Sequence, residues 1–332
     1  MEIEENISLS SHNSFRLPSR AKWFCEVENK EELSEAIDFS RKCGAKPFVL
    51  GSGTNIVLTG NLDGLVIRNK IKGSEFKVSS ATVCSGENWH KFVGECRKRY
   101  FGGLENLALI PGTVGAAPIQ NIGAYGVELS DRFESMEAQN LYTNEVSVFS
   151  KEDCEFGYRK SLFTEDKEWF VLNVSLNSSP EVTVDYPDIR EYLEANKLEA
   201  CAATVYEATC SIRRRKLPDI EKYPNAGSFF KNPIISKEIC DGLLKEFPMI
   251  PNHSVSGGIK VSAAWLIDSL GLKGIRIGGF SVSQKHALVI INSSNGVFDE
   301  LNELCGLIKS KVFGAYNVCL EVEPEIFPFR DL

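Results

Sequence analysis

The chain has no apolar run long enough to cross a bilayer, so a membrane-spanning role is excluded from the outset. It has no excess of positive charge either. Its 37 Lys and Arg stand against 45 Asp and Glu, a net charge of -8 that argues against non-specific nucleic-acid binding. Histidine is scarce, with four residues far apart and outside any ligand spacing, so no metal site is expected. The ten cysteines form no C-x-x-C pair and no even framework; they read as reduced, mostly buried thiols in a reducing compartment. The N-terminus, MEIEENISLSSHNSF, is acidic and polar, unlike a secretory signal, and a cytoplasmic location follows as the expectation. No internal repeat, low-complexity tract or G-x-G-x-x-G fingerprint is found. What is present is an ordinary globular composition, 43% hydrophobic and 25% charged. Its 332 residues suffice for two or three domains.

The first third reads as alternating strands and helices. Asn29 is placed to cap a helix with Glu32 three residues on; Leu33, Ala36, Ile37 and Ser40 share one face, and Gly44 ends the run. Strands are expected at 47–50, 56–58 and 65–68, then a strand pair within FKVSSATVCSG. The helix NWHKFVGECRKRY follows, with Trp89, Phe92 and Val93 inward. Strands resume near 133–149 and 169–176. Residues 177–210 look like an insertion carrying Tyr186 and a helix near IREYLEA. Beyond the basic run 213–216, helices are expected near 237–247, 262–270 and 297–312. Strands are expected at 286–292 and in NVCLEVEPEI, ended by Pro324.

Two loops are rich in small residues. Gly51, Ser52, Gly53, Thr54 and Asn55 follow a strand; the turn either offers backbone N–H groups to a phosphate or is a plain connection. The second loop, 104–128, holds Pro111, Gly112, Thr113, Gly115 and Ala116, then Gly123, Ala124, Tyr125 and Gly126. Small residues at this density let a backbone approach a flat or phosphorylated ligand, and the low charge implies recognition through N–H groups. In NAGSFFKNP (225–233) a serine precedes two phenylalanines that are costly to expose, so Ser228 is expected on a tightly held turn. Taken alone, that stretch is a Gly-Ser turn beside a buried aromatic pair.

Its company changes the reading. GSGTN, LENLALIPGTVGAAPIQNIGAYGVE, CEFGYRKSLF, KLPD…NAGSFFKNP, AAWLIDSLGLKG and LEVEPEI occur in this order. Together they resemble the UDP-N-acetylenolpyruvoylglucosamine reductase family, in the branch with a tyrosine-bearing loop over the substrate. The likeness runs from Asn13 to Ile326. It implies an α+β fold: an FAD-binding fold of the vanillyl-alcohol-oxidase (PCMH) type with a separate α/β substrate-binding domain. The implied division is residues 1–68 plus 319–332 and residues 69–210 as FAD-binding subdomains, with 211–318 binding substrate. It also implies FAD as cofactor, NADPH as co-substrate, and UDP-N-acetylglucosamine-enolpyruvate as the substrate reduced to UDP-N-acetylmuramate for peptidoglycan, by a monomer. Both glycine-rich loops are expected at the flavin, with Arg213 or Arg214 near it, Arg214 being the candidate chosen.

The resemblance marks Arg159, Ser228 and Glu325 as catalytic, and their chemistry suits the reaction. An enolpyruvyl group accepts hydride only if negative charge can build beside its carboxylate, and a guanidinium binds a carboxylate in bidentate fashion at any working pH. Glu325 beside that charge is expected to be protonated, through burial and like-charge repulsion. Ser228 is expected to protonate the carbon next to the carboxylate. Anionic substrates on an acidic chain need local cations, so Lys216, Lys260 and Lys273 are candidates, with Arg276 behind them. Tyr186, Asn232 and His286 complete the expected substrate contacts. The tail Ile-Phe-Pro-Phe after Glu325 is more apolar than this branch of the family leads one to expect. Two rival readings remain. One is an oxidase of the same fold, disfavoured for a covalently held flavin because neither loop contains His or Cys. The other is a non-catalytic nucleotide-sugar-binding protein.

Overall fold

Local signals account for the first sheet. In the structure, a computed structural model that describes residues 1–328, the helix Lys30–Cys43 begins where the Asn29 side chain accepts the Glu32 N–H at 2.9 Å. It ends at Gly44, whose left-handed φ of 60° only glycine adopts without strain. Leu33, Ala36, Ile37 and Ser40 are its buried face, as expected. That face packs on a four-stranded sheet ordered Glu4–Ser8, Arg20–Val27, Leu62–Asn69, Lys46–Leu50, whose last three strands are parallel. Gly64 marks the tightest point, because a Cβ there would fall inside the Lys46 carbonyl oxygen.

A second sheet of five antiparallel strands follows, ordered Val146–Ser150, Phe133–Asn140, Trp169–Asn177, Ser80–Cys84, Ser74–Phe76. The helix Trp89–Lys98 buries Trp89, Phe92, Val93 and Cys96 in the core formed with this sheet. The insertion holds the helix Pro187–Ala195, whose Ile189 and Leu193 pack with Val205, Ala208 and Ile212. Those three belong to a helix, Ala202–Lys216, that the sequence reading did not mark. The basic run 213–216 is its last turn, and its thin, Thr- and Cys-interrupted apolar stripe concealed it.

The chain divides into two units, Met1–Ile7, Ala21–Gly53 and Leu62–Arg215 on one hand, and Ser8–Arg20, Thr54–Asn61 and the chain from Lys216 onward on the other. In the second unit the helix Phe298–Tyr316 packs against Ala263–Ser269 and the strand Phe280–Val282. Phe15, Phe229, Phe230 and Phe280 are fully buried there, in edge-to-face pairs 5.3–5.9 Å apart. The strand expected over 286–292 is confined to Ile290–Asn292, because the His286 carbonyl accepts the Val289 N–H and closes a turn. NVCLEVEPEI is likewise not one strand. Val318 and Leu320 are buried and Cys319 and Glu321 exposed, but the strand Glu325–Phe327 starts after Pro324 rather than ending before it. That strand pairs in parallel with Ile56–Leu58, and both belong to the second unit, whereas the expected division had grouped them with residues 1–68. The close of the Ile-Phe-Pro-Phe tail, Phe329, and residues 330–332 lie outside the described residues.

All ten cysteines are free, six of them buried. Burial pushes the Cys25 and Cys154 thiols up to about 12, whereas hydrogen bonding with Thr204 lowers that of exposed Cys201. Titration of the native protein with an aromatic disulfide reagent should show three fast thiols, Cys43, Cys201 and Cys319, and release the other seven only on unfolding. Equally fast labelling of Cys25 or Cys305 would contradict this packing.

Candidate active site

The two glycine-bearing loops meet within the first unit. A Cβ on Gly51 would stand 2.7 Å from Thr113 Oγ1, and one on Gly115 would stand 2.5 Å from Ser85 Cβ. The N–H groups of Val114 and Gly115 donate to the Glu87 and Ser85 carbonyls at 2.8 Å. The turn after the strand Lys46–Leu50 therefore lies directly against the turn at 111–115, at the carboxyl end of a parallel strand, where α/β sheets bind ligands. Further along, Gly123–Ala124 pairs with Val127–Glu128, and the two residues between, Tyr125 and Gly126, both have positive φ (49° and 84°). That is the signature of a two-residue hairpin of the primed type.

Arg159 sits in a second tight turn. Gly157 and Lys160 exchange backbone hydrogen bonds of 2.9 and 3.2 Å, leaving Tyr158 and Arg159 at the tip, with Arg159 at φ 53°. A left-handed arginine is uncommon enough to mark a position that the surroundings hold in place. Its Nη2 donates to the Gly123 carbonyl at 2.9 Å, and its guanidinium lies 5.3 Å from the Tyr158 ring centre. Beside it, Arg213 hydrogen-bonds the Tyr125 phenol, and each arginine feels the other's charge. Burial pushes the Tyr125 phenol up to about 12 against the pull of Arg213. The Tyr125 and Tyr186 rings meet edge to face at 5.2 Å. The first unit thus gathers Gly123, Tyr125, Arg159, Tyr186 and Arg213. Arg213, the alternative passed over for Arg214 in the sequence reading, is the arginine that faces this group. Arg214 is exposed, and its charge bears on His90, Tyr206 and Cys210 instead.

In the second unit the segment 225–231 is clamped from both sides. Ser228 bridges Val289, and the Phe229 N–H reaches the Leu288 carbonyl at 2.7 Å. On the other side Phe230 bridges Val322, and the Phe229 carbonyl accepts the Glu323 N–H at 2.9 Å. The Glu325 N–H donates to the Asn55 carbonyl at 2.9 Å, directly before the strand Ile56–Leu58 with which its own strand pairs. The turn before Ser228 depends on Asn225, a buried residue whose amide donates to the Tyr223 carbonyl and whose Oδ1 accepts the Gly227 N–H at 2.9 Å. Its own carbonyl receives the Ser14 hydroxyl at 2.6 Å.

Several expected substrate residues lie along the same segment. Asn232 Oδ1 accepts the Ala263 N–H, and the strand bearing Lys260 pairs with Ile234. His286 closes the turn that precedes Val289, the residue bridged by Ser228. Lys216 is half-buried at the end of its helix. Lys273 is held 2.7 Å from Asp268, so part of its charge is offset locally, and Arg276 is exposed and bonded to Ser294. Sequence reasoning missed Asn106, Asn121 and Asn225, buried amides that staple the loops. Their only trace in the sequence is an Asn amid small or apolar residues, where an unpartnered amide is costly.

The first unit suits a flat anionic cofactor. Its glycines let the two turns close on each other, and buried Arg213 Nε has no hydrogen-bond partner among the described residues. Comparison with known proteins agrees. Residues 21–141 match the model of an FAD binding domain, and residues 219–327 match that of the C-terminal domain of UDP-N-acetylenolpyruvoylglucosamine reductase. The protein of that name from Flavobacterium johnsoniae is 38% identical over 98% of this chain and 100% of its own. The one from Cupriavidus pinatubonensis is 40% identical over 98% of this chain and 99% of its own. The crystal structure of the reductase from Thermus caldophilus aligns with a TM-score of 0.70 at 25% identity, covering 99% of this chain and 100% of that one. The fold is the α+β FAD-binding fold of the vanillyl-alcohol-oxidase type with a separate substrate-binding domain.

Replacing Asn225 by Ala leaves the half-buried Gly227 N–H without its acceptor, which costs about 1 kcal/mol. Thermal unfolding should show a clear drop in Tm, and an unchanged Tm would mean that the Ser228 turn does not depend on this amide.

Proposed function

The chain belongs to the UDP-N-acetylenolpyruvoylglucosamine reductase family, and on that premise we propose that Arg159, Ser228 and Glu325 act together on the enolpyruvyl group of its substrate. The protein is an FAD-dependent oxidoreductase of peptidoglycan precursor synthesis. Its reaction converts UDP-N-acetylglucosamine-enolpyruvate to UDP-N-acetylmuramate. A cytoplasmic monomer is part of the proposal; among the described residues no helix is long and apolar enough to cross a membrane.

The residues assigned to FAD are Gly51 to Asn55, Pro111 to Ala116 and Gly123 to Gly126, with Arg213 added and Arg214 kept as the outer cation. The chemistry that FAD would supply there, once reduced by NADPH, is a hydride for the substrate's terminal vinyl carbon. As that C–H bond forms, the vinyl electron pair moves to the carbon beside the carboxylate. Arg159 holds the carboxylate and stabilises the charge that spreads onto it; a donor of this kind is worth about 10²–10³ in rate. Glu325, as an acid that keeps its proton, adds a hydrogen bond to the same charge without repelling it. Ser228 then passes its hydroxyl proton to the carbon beside the carboxylate, which completes the saturated lactyl ether. Lys216, Lys260, Lys273, Asn232, His286 and Tyr186 are assigned to the nucleotide sugar, with Lys273 the weakest because Asp268 already engages it.

One observation carries the reading. The Arg159 guanidinium is seated on the Gly123 carbonyl from a strained, closed turn, the form expected of a charge that has to meet one substrate group at one angle. The Ser228→Ala variant tests it in two half-reactions. Bleaching of the flavin by NADPH should proceed at the native rate, while product formation should fall by about 10²–10⁴. Equal loss in both halves would remove Ser228 from the role of proton donor.

A further inference from the structure

We propose that Asn121 is a positioning residue for Arg159, fixing at once the turn that carries the guanidinium and the carbonyl on which it rests. The inference depends on the catalytic assignment of Arg159 made above. Asn121 is completely buried and takes a left-handed φ of 44°, a conformation that Asn tolerates better than most residues. All the polar atoms of its side chain are used. Nδ2 donates to Glu128 Oε2 at 2.9 Å and to the Gly157 carbonyl at 3.1 Å, and Oδ1 accepts the Ser130 N–H at 2.9 Å.

These bonds close a ring. Gly157 is the base of the two-residue turn with Arg159 at its tip. Glu128 is paired with Gly123 across the small hairpin, and the Gly123 carbonyl receives Arg159 Nη2. Asn121 therefore bonds to the partner of the residue that supports the guanidinium and to the base of the turn that presents it. Nearby, the Ser161 and Thr164 hydroxyls both donate to the carbonyl of Ile119, two residues before Asn121. Only a side chain with two donors and an acceptor closes the ring. Asp keeps the acceptor for Ser130 but sets a carboxylate against the Glu128 carboxylate and the Gly157 carbonyl.

The test is the Asn121→Asp variant, assayed as holoenzyme with Arg159→Ala alongside. Product formation from prereduced enzyme and UDP-N-acetylglucosamine-enolpyruvate should fall about tenfold to a hundredfold, the usual result of displacing a catalytic group by around an ångström. Flavin reduction by NADPH should keep its native rate. Product formation should recover as the pH is lowered, because burial and the facing acid favour protonation, and a protonated carboxyl regains one donor. Hydrogen exchange gives a readout independent of turnover: the amides of Gly157 and Lys160 should lose protection while those of the five-stranded sheet keep theirs. Adding Glu128→Gln to Asn121→Asp supplies an amide donor facing the new carboxylate and should restore part of the rate. The proposal is overturned if the two half-reactions fall together, if exchange at 157–160 is native, or if the loss does not depend on pH. If Arg159→Ala itself forms product normally, the assignment of Arg159 has failed, whatever Asn121 does.

Discussion

The hydrogen bond from Arg159 to the Gly123 carbonyl is the contact on which the proposed chemistry rests. A free arginine side chain is long and mobile, and ordering it costs entropy on the order of 2 kcal/mol. Here that cost is met before any substrate arrives. The backbone is forced into a left-handed turn, and the guanidinium is anchored on a hairpin whose own turn has two positive-φ residues. Arg213, close by and partly desolvated, makes the same region doubly cationic. On a chain of net charge -8, this gives an anionic ligand a local destination that the overall balance does not offer.

A different constraint governs the glycines. Gly51, Gly64 and Gly115 do not owe their identity to unusual dihedrals; neighbouring atoms stand where a side chain would be. The close apposition of the turns at 51–53 and 111–115 is thus written into the sequence as an absence of Cβ atoms. In the second unit the comparable task falls to hydrogen bonds. Ser228 lies in a short segment paired on both flanks, and the strand carrying Glu325 starts from the Asn55 carbonyl.

What could be read from the sequence follows from how local each signal is. The helix at 30–43 was legible to the residue, since its cap, its stripe and its terminal glycine all lie within fifteen positions. The helix ending in the basic run was not, because its buried positions are Val205, Ala208, Thr209, Cys210 and Ile212, a stripe with too little contrast. The interrupted strands at 286–292 and 317–326 were overread. Alternation of burial was correct in the latter, but whether a ladder forms depends on partners remote in sequence, here Phe230 and Ile56–Leu58. Arg213 and Arg214 were indistinguishable as letters, and helix phase alone turns the first toward Tyr125 and Arg159. Asn121 was invisible for the same reason, since its partners Gly157 and Glu128 meet it only in the folded chain.

The most direct measurement is a crystal structure of the Ser228→Ala variant with UDP-N-acetylglucosamine-enolpyruvate bound. The account predicts that the enolpyruvyl carboxylate is bonded by the Arg159 guanidinium, with Glu325 at the same group and position 228 facing the carbon beside it. A carboxylate held by other residues, with Arg159 still engaged only on Gly123, would contradict it.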